Sequence, residues 1–267
     1  MKGAIVMLAA LVAVGAASCA KKSVGIVGKE ISYNGGGVQM KGYLAYDGDI
    51  TGKRPGVLVV HEWWGLNDYA RKRARMLAGL GYVALAVDMY GNGETATHPN
   101  DAGKFAGEVM QHMDTAKARF VAAEDVLKQQ ELCDSTRVAA IGYCFGGGIV
   151  MRMALLGFPL AGVASLHGDL PTDMNIPSGQ ATPRMLVCNG ADDPFNPPAK
   201  VEAFKKSMQS GGVDVTFIDY PGAKHSFTNP EADSLGRAFN IPLAYNEAAD
   251  KGSWTAMQEF FKRIFVQ

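Results

Sequence analysis

Gly142-Tyr143-Cys144-Phe145-Gly146 follows an apolar run from Arg137 and opens a second one from Gly147. Read as strand, turn and helix, it has the form G-x-C-x-G. That is the thiol counterpart of the G-x-S-x-G nucleophile elbow. A sharp turn there lifts residue 144 above a sheet with its side chain exposed. Small residues at 142 and 146 let strand and helix approach closely. The helix that follows places its N-terminal N–H groups and dipole beside the thiol, and the Phe145 N–H is aimed where an oxyanion would form. No G-x-S-x-G occurs in the chain, so Cys144 has no serine competitor. On its own a cysteine is more often a small core residue; its surroundings have to argue for chemistry.

Outward from the elbow, apolar β-type runs alternate with helical patterns. Gly56–Val60, Tyr82–Val87, Arg137–Gly142, Ala161–Leu166, Met185–Cys188 and Val213–Ile218 read as strands. Asn67–Leu80, a long stretch from about Gly103 to Gln130, a segment from about Gly146, Val201–Gln209 and an amphipathic Ser253–Phe265 read as helices. Strands apolar on both faces and separated by helices predict an α/β fold: a mostly parallel central sheet with helices on both sides. Ile31–Tyr46 around Gly35-Gly36-Gly37 predicts a short antiparallel hairpin at the N-terminal edge. Gly91–Asn100 reads as a loop. Its Gly91-Asn92-Gly93-Glu94-Thr95-Ala96 mimics a dinucleotide fingerprint, but Pro99 and the polar loop argue against the helix that motif requires.

In an α/β-hydrolase fold the acid follows a later strand and the histidine follows the last one. Met185–Gly190 runs into Ala191-Asp192-Asp193-Pro194, which offers Asp193, with Asp192 as the alternative. Val213–Ile218 leads to His225 in the loop beyond it. Nucleophile, acid and base therefore occur in the order Cys144, Asp193, His225. His61-Glu62-Trp63-Trp64-Gly65 lacks the second histidine of a zinc-binding helix. His167 ends a strand and reads as pocket lining; His98 and His112 read as surface residues.

The 267 residues carry 26 Lys+Arg and 26 Asp+Glu, which gives no electrostatic reason to expect nucleic acid. The run Arg71-Lys72-Arg73 with Arg75 reads as a solvated helix face. Residues 1–18 combine a basic start, an uncharged apolar stretch and small residues, the pattern of an export signal too short to span a bilayer. Ala16-Ala17-Ser18-Cys19 resembles a lipoprotein box, with Cys19 as the lipidated residue; ordinary cleavage to a soluble periplasmic protein is the rival. Either way the working chain is exported to the cell envelope, with residues 19–30 a tether and residues 31–267 one domain. Of the remaining cysteines, Cys133 and Cys188 read as core thiols, neither placed to resolve an oxidised Cys144.

Several further segments make the sequence resemble the dienelactone hydrolase family, α/β-hydrolases with a Cys-His-Asp triad. They are Val60-His61-Glu62-Trp63-Trp64-Gly65-Leu66-Asn67, Asp88-Met89-Tyr90, Gly142–Gly147, His167-Gly168, Asp193 with Phe195 and Pro197, and His225-Ser226-Phe227. The resemblance implies a carboxymethylenebutenolidase-like hydrolase of small esters or lactones that works through an acyl-enzyme, without metal or organic cofactor. It implies that Glu62 contacts the resting thiol, and that the Trp63 N–H joins that of Phe145 as the second oxyanion donor. Family members that act on dienelactone carry an arginine shortly after the Asp-x-Tyr segment. Here Gly91-Asn92-Gly93 follows, and Trp63, Trp64, Tyr90 and Phe145 suggest an aromatic pocket for a neutral acyl group. The competing expectation is a non-catalytic envelope ligand-binding protein that retains a hydrolase pocket. Monomer and dimer stay open.

Overall fold

The computed structural model describes residues 23–266 apart from 175, 178 and 179. Cys19 and the export segment lie outside the described residues. Among those residues the strands are β1 (Ile26–Gly35), β2 (Val38–Asp47), β3 (Arg54–Val60), β4 (Val83–Val87), β5 (Cys133–Tyr143), β6 (Gly162–Leu166), β7 (Arg184–Gly190) and β8 (Val215–Tyr220). They form an 8-stranded sheet in the order β1-β2-β4-β3-β5-β6-β7-β8. From β4 to β8 neighbours run parallel. β1 and β2 are antiparallel to each other, and β2 to β4. The β1–β2 turn is built by Gly36 (φ 59°) and Gly37 (φ 82°), two successive positive angles that match the right-handed twist of a hairpin. β1 starts at Ile26, inside the span expected to be a tether.

Each parallel strand buries both faces, which is why the strands read as unbroken apolar runs. Leu58 and Val60 of β3 face one core, with Phe120, Leu127, Ile149 and Phe204. Val57 and Val59 face the other, with Leu77, Met257, Phe260 and Phe261. The helices divide accordingly. α3 (Met113–Lys128), α4 (Phe145–Leu155) and α5 (Pro198–Ser210) cover the first face; α1 (Asp68–Gly79) and α7 (Glu247–Phe265) cover the second.

The helices and the basic run also depart from expectation. The single helix expected over 103–130 is two, α2 (Pro99–Gln111) and α3, parted at His112 (φ −118°, ψ 62°). The apolar periodicity runs through the break, yet α2 turns Ala106 and Met110 toward a cavity while α3 packs Phe120, Ala123 and Leu127 on the sheet. Pro99 therefore starts a helix, at a position where its missing N–H costs nothing. α6 (Ala232–Phe239) was not anticipated. In the basic run, Arg73 is buried: it pairs with Asp250 at 2.6 Å and lies over the rings of Tyr69, Tyr143 and Trp254.

Candidate active site

β5 ends at Tyr143, α4 begins at Phe145, and Cys144 makes the whole turn with φ 53° and ψ −118°. A side chain in such a conformation costs on the order of 1–3 kcal/mol and persists only where the surroundings fix it. Here the Cys144 N–H donates to the Leu166 carbonyl and to His167 Nδ1, both at 3.1 Å, and the Gly146 N–H donates to the His61 carbonyl at 3.0 Å. The flanking glycines are required sterically. A Cβ on Gly142 would lie 2.1 Å from the Gly146 carbonyl oxygen, and one on Gly146 would lie 2.3 Å from that of Val60.

The residues expected to act together meet above the C-terminal ends of the parallel strands. Cys144 Sγ lies 3.0 Å from His225 Nε2, and His225 Nδ1 lies 2.8 Å from Asp193 Oδ2. Asp193 Oδ1 accepts the Phe195 N–H at 2.8 Å, which fixes the carboxylate. Asp192 is exposed, whereas Asp193 is buried against His225, so the choice between the two aspartates falls on Asp193. Burial opposes a charge on His225, but the adjoining Cys144 and Asp193 outweigh it and hold the imidazole well above its ordinary pKa. The N–H groups of Phe145, at the head of α4, and of Trp63, in the turn after β3, engage no acceptor among the described residues. Both are therefore free to donate.

Glu62 does not touch the thiol. Its two carboxylate oxygens accept from Ser226 Oγ at 2.8 Å and Asn229 Nδ2 at 2.7 Å, two residues of the His225 loop. Burial raises its pKa against the pull of those two hydrogen bonds. Among the described residues the hydrogen bond to the thiol that the resemblance implies is absent; Cys144 Sγ meets His225 instead. Trp64, Tyr90 and His167 also depart from expectation: they lie behind the cavity wall. Trp64 packs with Ala96, Ala102 and Leu243. Tyr90 donates its hydroxyl to the Trp63 carbonyl at 2.8 Å. His167 is fully buried beneath the elbow. The Gly91–Gly93 loop holds no nucleotide signature: the Asp88 carboxylate accepts the N–H groups of Tyr90, Gly91, Gly93 and Lys41. No cluster of metal-ligating side chains occurs among the described residues.

Cys144 and His225 open into a cavity of about 280 Å³ walled by Trp63, Met110, Phe145, Phe195, Ile241 and Leu243. Among the described residues no lysine or arginine lines it. Its one carboxylate, Asp169, pairs with Lys200 and, at 3.9 Å, with Arg152. Ile241 and Leu243 were not foreseen. They follow Asn240, which ends α6 in a left-handed turn (φ 51°), and the same segment braces the His225 loop: Ala244 N–H donates to the His225 carbonyl and Asn246 N–H to that of Phe227. Nothing in the local sequence, which reads Ala238-Phe239-Asn240-Ile241-Pro242-Leu243-Ala244-Tyr245, singles out these two among the apolar residues around them.

Comparison with known proteins identifies the family. A family model described as "Dienelactone hydrolase family" matches residues 40–265. A relative in Aquifex aeolicus named "Putative carboxymethylenebutenolidase" is 30% identical over 88% of this chain and 98% of its own. Protein usf of Aquifex pyrophilus is 28% identical over 90% of this chain and 100% of its own. A solved dienelactone hydrolase-like promiscuous phosphotriesterase from metagenomic libraries superposes with a TM-score of 0.84 at 35% identity, covering 90% of this chain and 99% of that one. With an eight-stranded hydrolase sheet and a family match spanning nearly all of it, the chain belongs to the dienelactone hydrolase family, α/β-hydrolases that cleave esters and lactones.

Proposed function

We propose that this hydrolase works through Cys144 as nucleophile and an acyl-enzyme intermediate. His225 takes the thiol proton, with Asp193 holding the ring so that Nε2 faces sulfur. The thiolate attacks the ester or lactone carbonyl carbon, and the N–H groups of Phe145 and Trp63 receive the oxyanion. Collapse expels the alkoxide, which takes the proton back from His225. Water, deprotonated by the same imidazole, then attacks the thioester and releases the acid and the thiol. The observation that carries this reading is the 3.0 Å approach of Cys144 Sγ to a histidine whose other nitrogen is 2.8 Å from a buried carboxylate. The test is turnover of small chromogenic esters by wild type and Cys144→Ala. Loss of at least about a thousandfold is expected from removal of a nucleophile; equal rates would overturn the assignment.

The cavity points to neutral substrates. Its walls are apolar, its carboxylate Asp169 is already paired with Lys200, and among the described residues no lysine or arginine lines it to hold a substrate anion, the part an arginine plays in dienelactone-cleaving relatives. Neutral carboxylic esters and lactones fit, as do neutral phosphotriesters, the substrate class in the name of the metagenomic relative. A panel that sets neutral esters against carboxylate-bearing lactones checks this; a preference for the anions would refute it. We further propose that the enzyme is exported and anchored through a lipid on Cys19. Incorporation of labelled fatty acid into wild type but not Cys19→Ala is the expected result, and an unlabelled wild type would rule out the anchor.

A further inference from the structure

His167 is a buried polar side chain that the chemistry above does not use. Its ring is inaccessible to solvent and packs against the rings of Tyr143, His225 and Phe227, with centroids 6.0, 5.6 and 5.1 Å away. Filling that space would need only an aromatic hydrocarbon. Burying an imidazole there is unfavourable unless its nitrogens are engaged, and both are. The Cys144 N–H can only donate, so Nδ1, 3.1 Å from it, carries the lone pair. The ring proton is therefore on Nε2, which donates to Thr228 Oγ1 at 2.6 Å. One ring thus spans the gap between the elbow and the loop that carries His225. Its own backbone is also left-handed (φ 41°), so two strained residues at the ends of neighbouring strands clasp each other.

We propose that His167 is a positioning residue, which in its neutral Nε2–H form ties the Cys144 turn to Thr228 and so sets the distance between the thiol and His225. Thr228 is a firm anchor for this purpose. Its carbonyl accepts Arg73 Nη2 at 2.5 Å, and its hydroxyl shares a 2.5 Å hydrogen bond with the Tyr69 hydroxyl. Arg73 is pinned in turn by Asp250. The brace therefore reaches from the elbow through the His225 loop to α1 and α7. Burial first, then the charges of His225 and Arg73, keep His167 well below the ordinary imidazole pKa, in the form the brace requires. The proposal rests on the Cys144–His225 pair being the reacting one.

Three variants test it. His167→Phe keeps the ring and removes both nitrogens. Thr228→Val keeps the shape and removes the hydroxyl. His167→Asn keeps an acceptor near the Nδ1 position. Each is assayed for kcat and KM on a neutral chromogenic ester, and for the pH profile of Cys144 alkylation by iodoacetamide. Misplacing reacting groups by about 1 Å can cost ~100-fold in rate. The expected result is a kcat at least about tenfold lower in His167→Phe and Thr228→Val with KM nearly unchanged, an alkylation profile displaced to higher pH, and partial rescue in His167→Asn. Folded His167→Phe and Thr228→Val proteins with wild-type kcat and alkylation profile would overturn the proposal; should His167→Phe not fold, Thr228→Val decides by the same criterion. The alkylation profile reads the thiol–imidazole pair without turnover. Cys144→Ala reads the nucleophile assignment separately, so the two failures are distinguishable.

Discussion

Cys144 occupies a conformation its side chain disfavours, held by hydrogen bonds to its N–H and by a close strand–helix approach that only glycine at 142 and 146 permits. Gly146 is the tightest case in functional terms, since its missing Cβ leaves room for the carbonyl oxygens of Val60 and His61 at 2.3 and 2.6 Å. Those two residues end β3 and begin the turn that carries Glu62 and Trp63. A methyl group at 146 would push that turn away from the elbow, and with it the Trp63 N–H. Because the obstacle is backbone on a central strand, it cannot move aside as a flexible side chain would. Gly146→Ala is expected to lose about 3 kcal/mol or more of stability, the upper range for overpacking. Chemical denaturation measures the loss. Activity should fall further than stability explains, because both N–H donors shift relative to the thiol. Glu62 shows the complementary lesson: a carboxylate in the expected place serves here to hold Ser226 and Asn229, the residues just past His225.

Among the elements, the antiparallel edge and the loop after β4 are joined through one side chain, Asp88. It is fully buried after β4 and accepts N–H groups from Tyr90, Gly91 and Gly93 of its own loop and from Lys41 of β2. That links the antiparallel edge to the loop carrying Tyr90, whose hydroxyl holds the Trp63 turn. Asp88→Ala strands several buried donors, each worth about 1–3 kcal/mol when left unpaired. A loss of more than about 3 kcal/mol is expected, with the Trp63 turn loosened; a variant as stable as wild type would show that the loop refolds around the gap. Elements of this kind mark the limit of sequence reading. Strands apolar on both faces, the elbow and the order Cys144, Asp193, His225 were legible because each has a local pattern. The break at His112 was not, since the apolar periodicity continues across it while the two helices face different partners. Nor was the wall formed by Ile241 and Leu243, because nothing local places a loop after α6 over the elbow. Glu62, Trp64, Tyr90 and His167 were recognised as residues of this region, but which way each side chain turns depends on partners distant in sequence.

At the scale of the molecule, two buried imidazoles, His61 and His167, resist protonation in the folded state, and their contribution to stability depends on pH with a definite sign. His61 accepts the Met89 N–H on Nε2 at 3.2 Å, and burial pushes its pKa down to about 4. His167, also buried, is held well below 6.5. In the unfolded chain both titrate near 6.5. Below that value the unfolded state takes up protons that the folded state refuses, so the contribution of these two groups is fully present above pH ~6.5 and is lost as pH falls, for His61 toward ~4. His225 and Glu62 have raised pKa values and act in the opposite sense, the folded state binding the proton more readily. Their contribution is common to wild type and a His61 variant, so the difference between the two isolates His61. His61→Asn, which cannot titrate, is expected to be less stable than wild type at pH 7 but to lose less between pH 6.5 and 5, a window above the ordinary carboxylate range. One fewer proton taken up on unfolding flattens the slope by up to about 1.4 kcal/mol per pH unit. Denaturant titrations at closely spaced pH values give both slopes directly. Parallel curves for the two proteins would mean that folded His61 accepts a proton as readily as the unfolded residue, against its burial and its hydrogen bond from Met89.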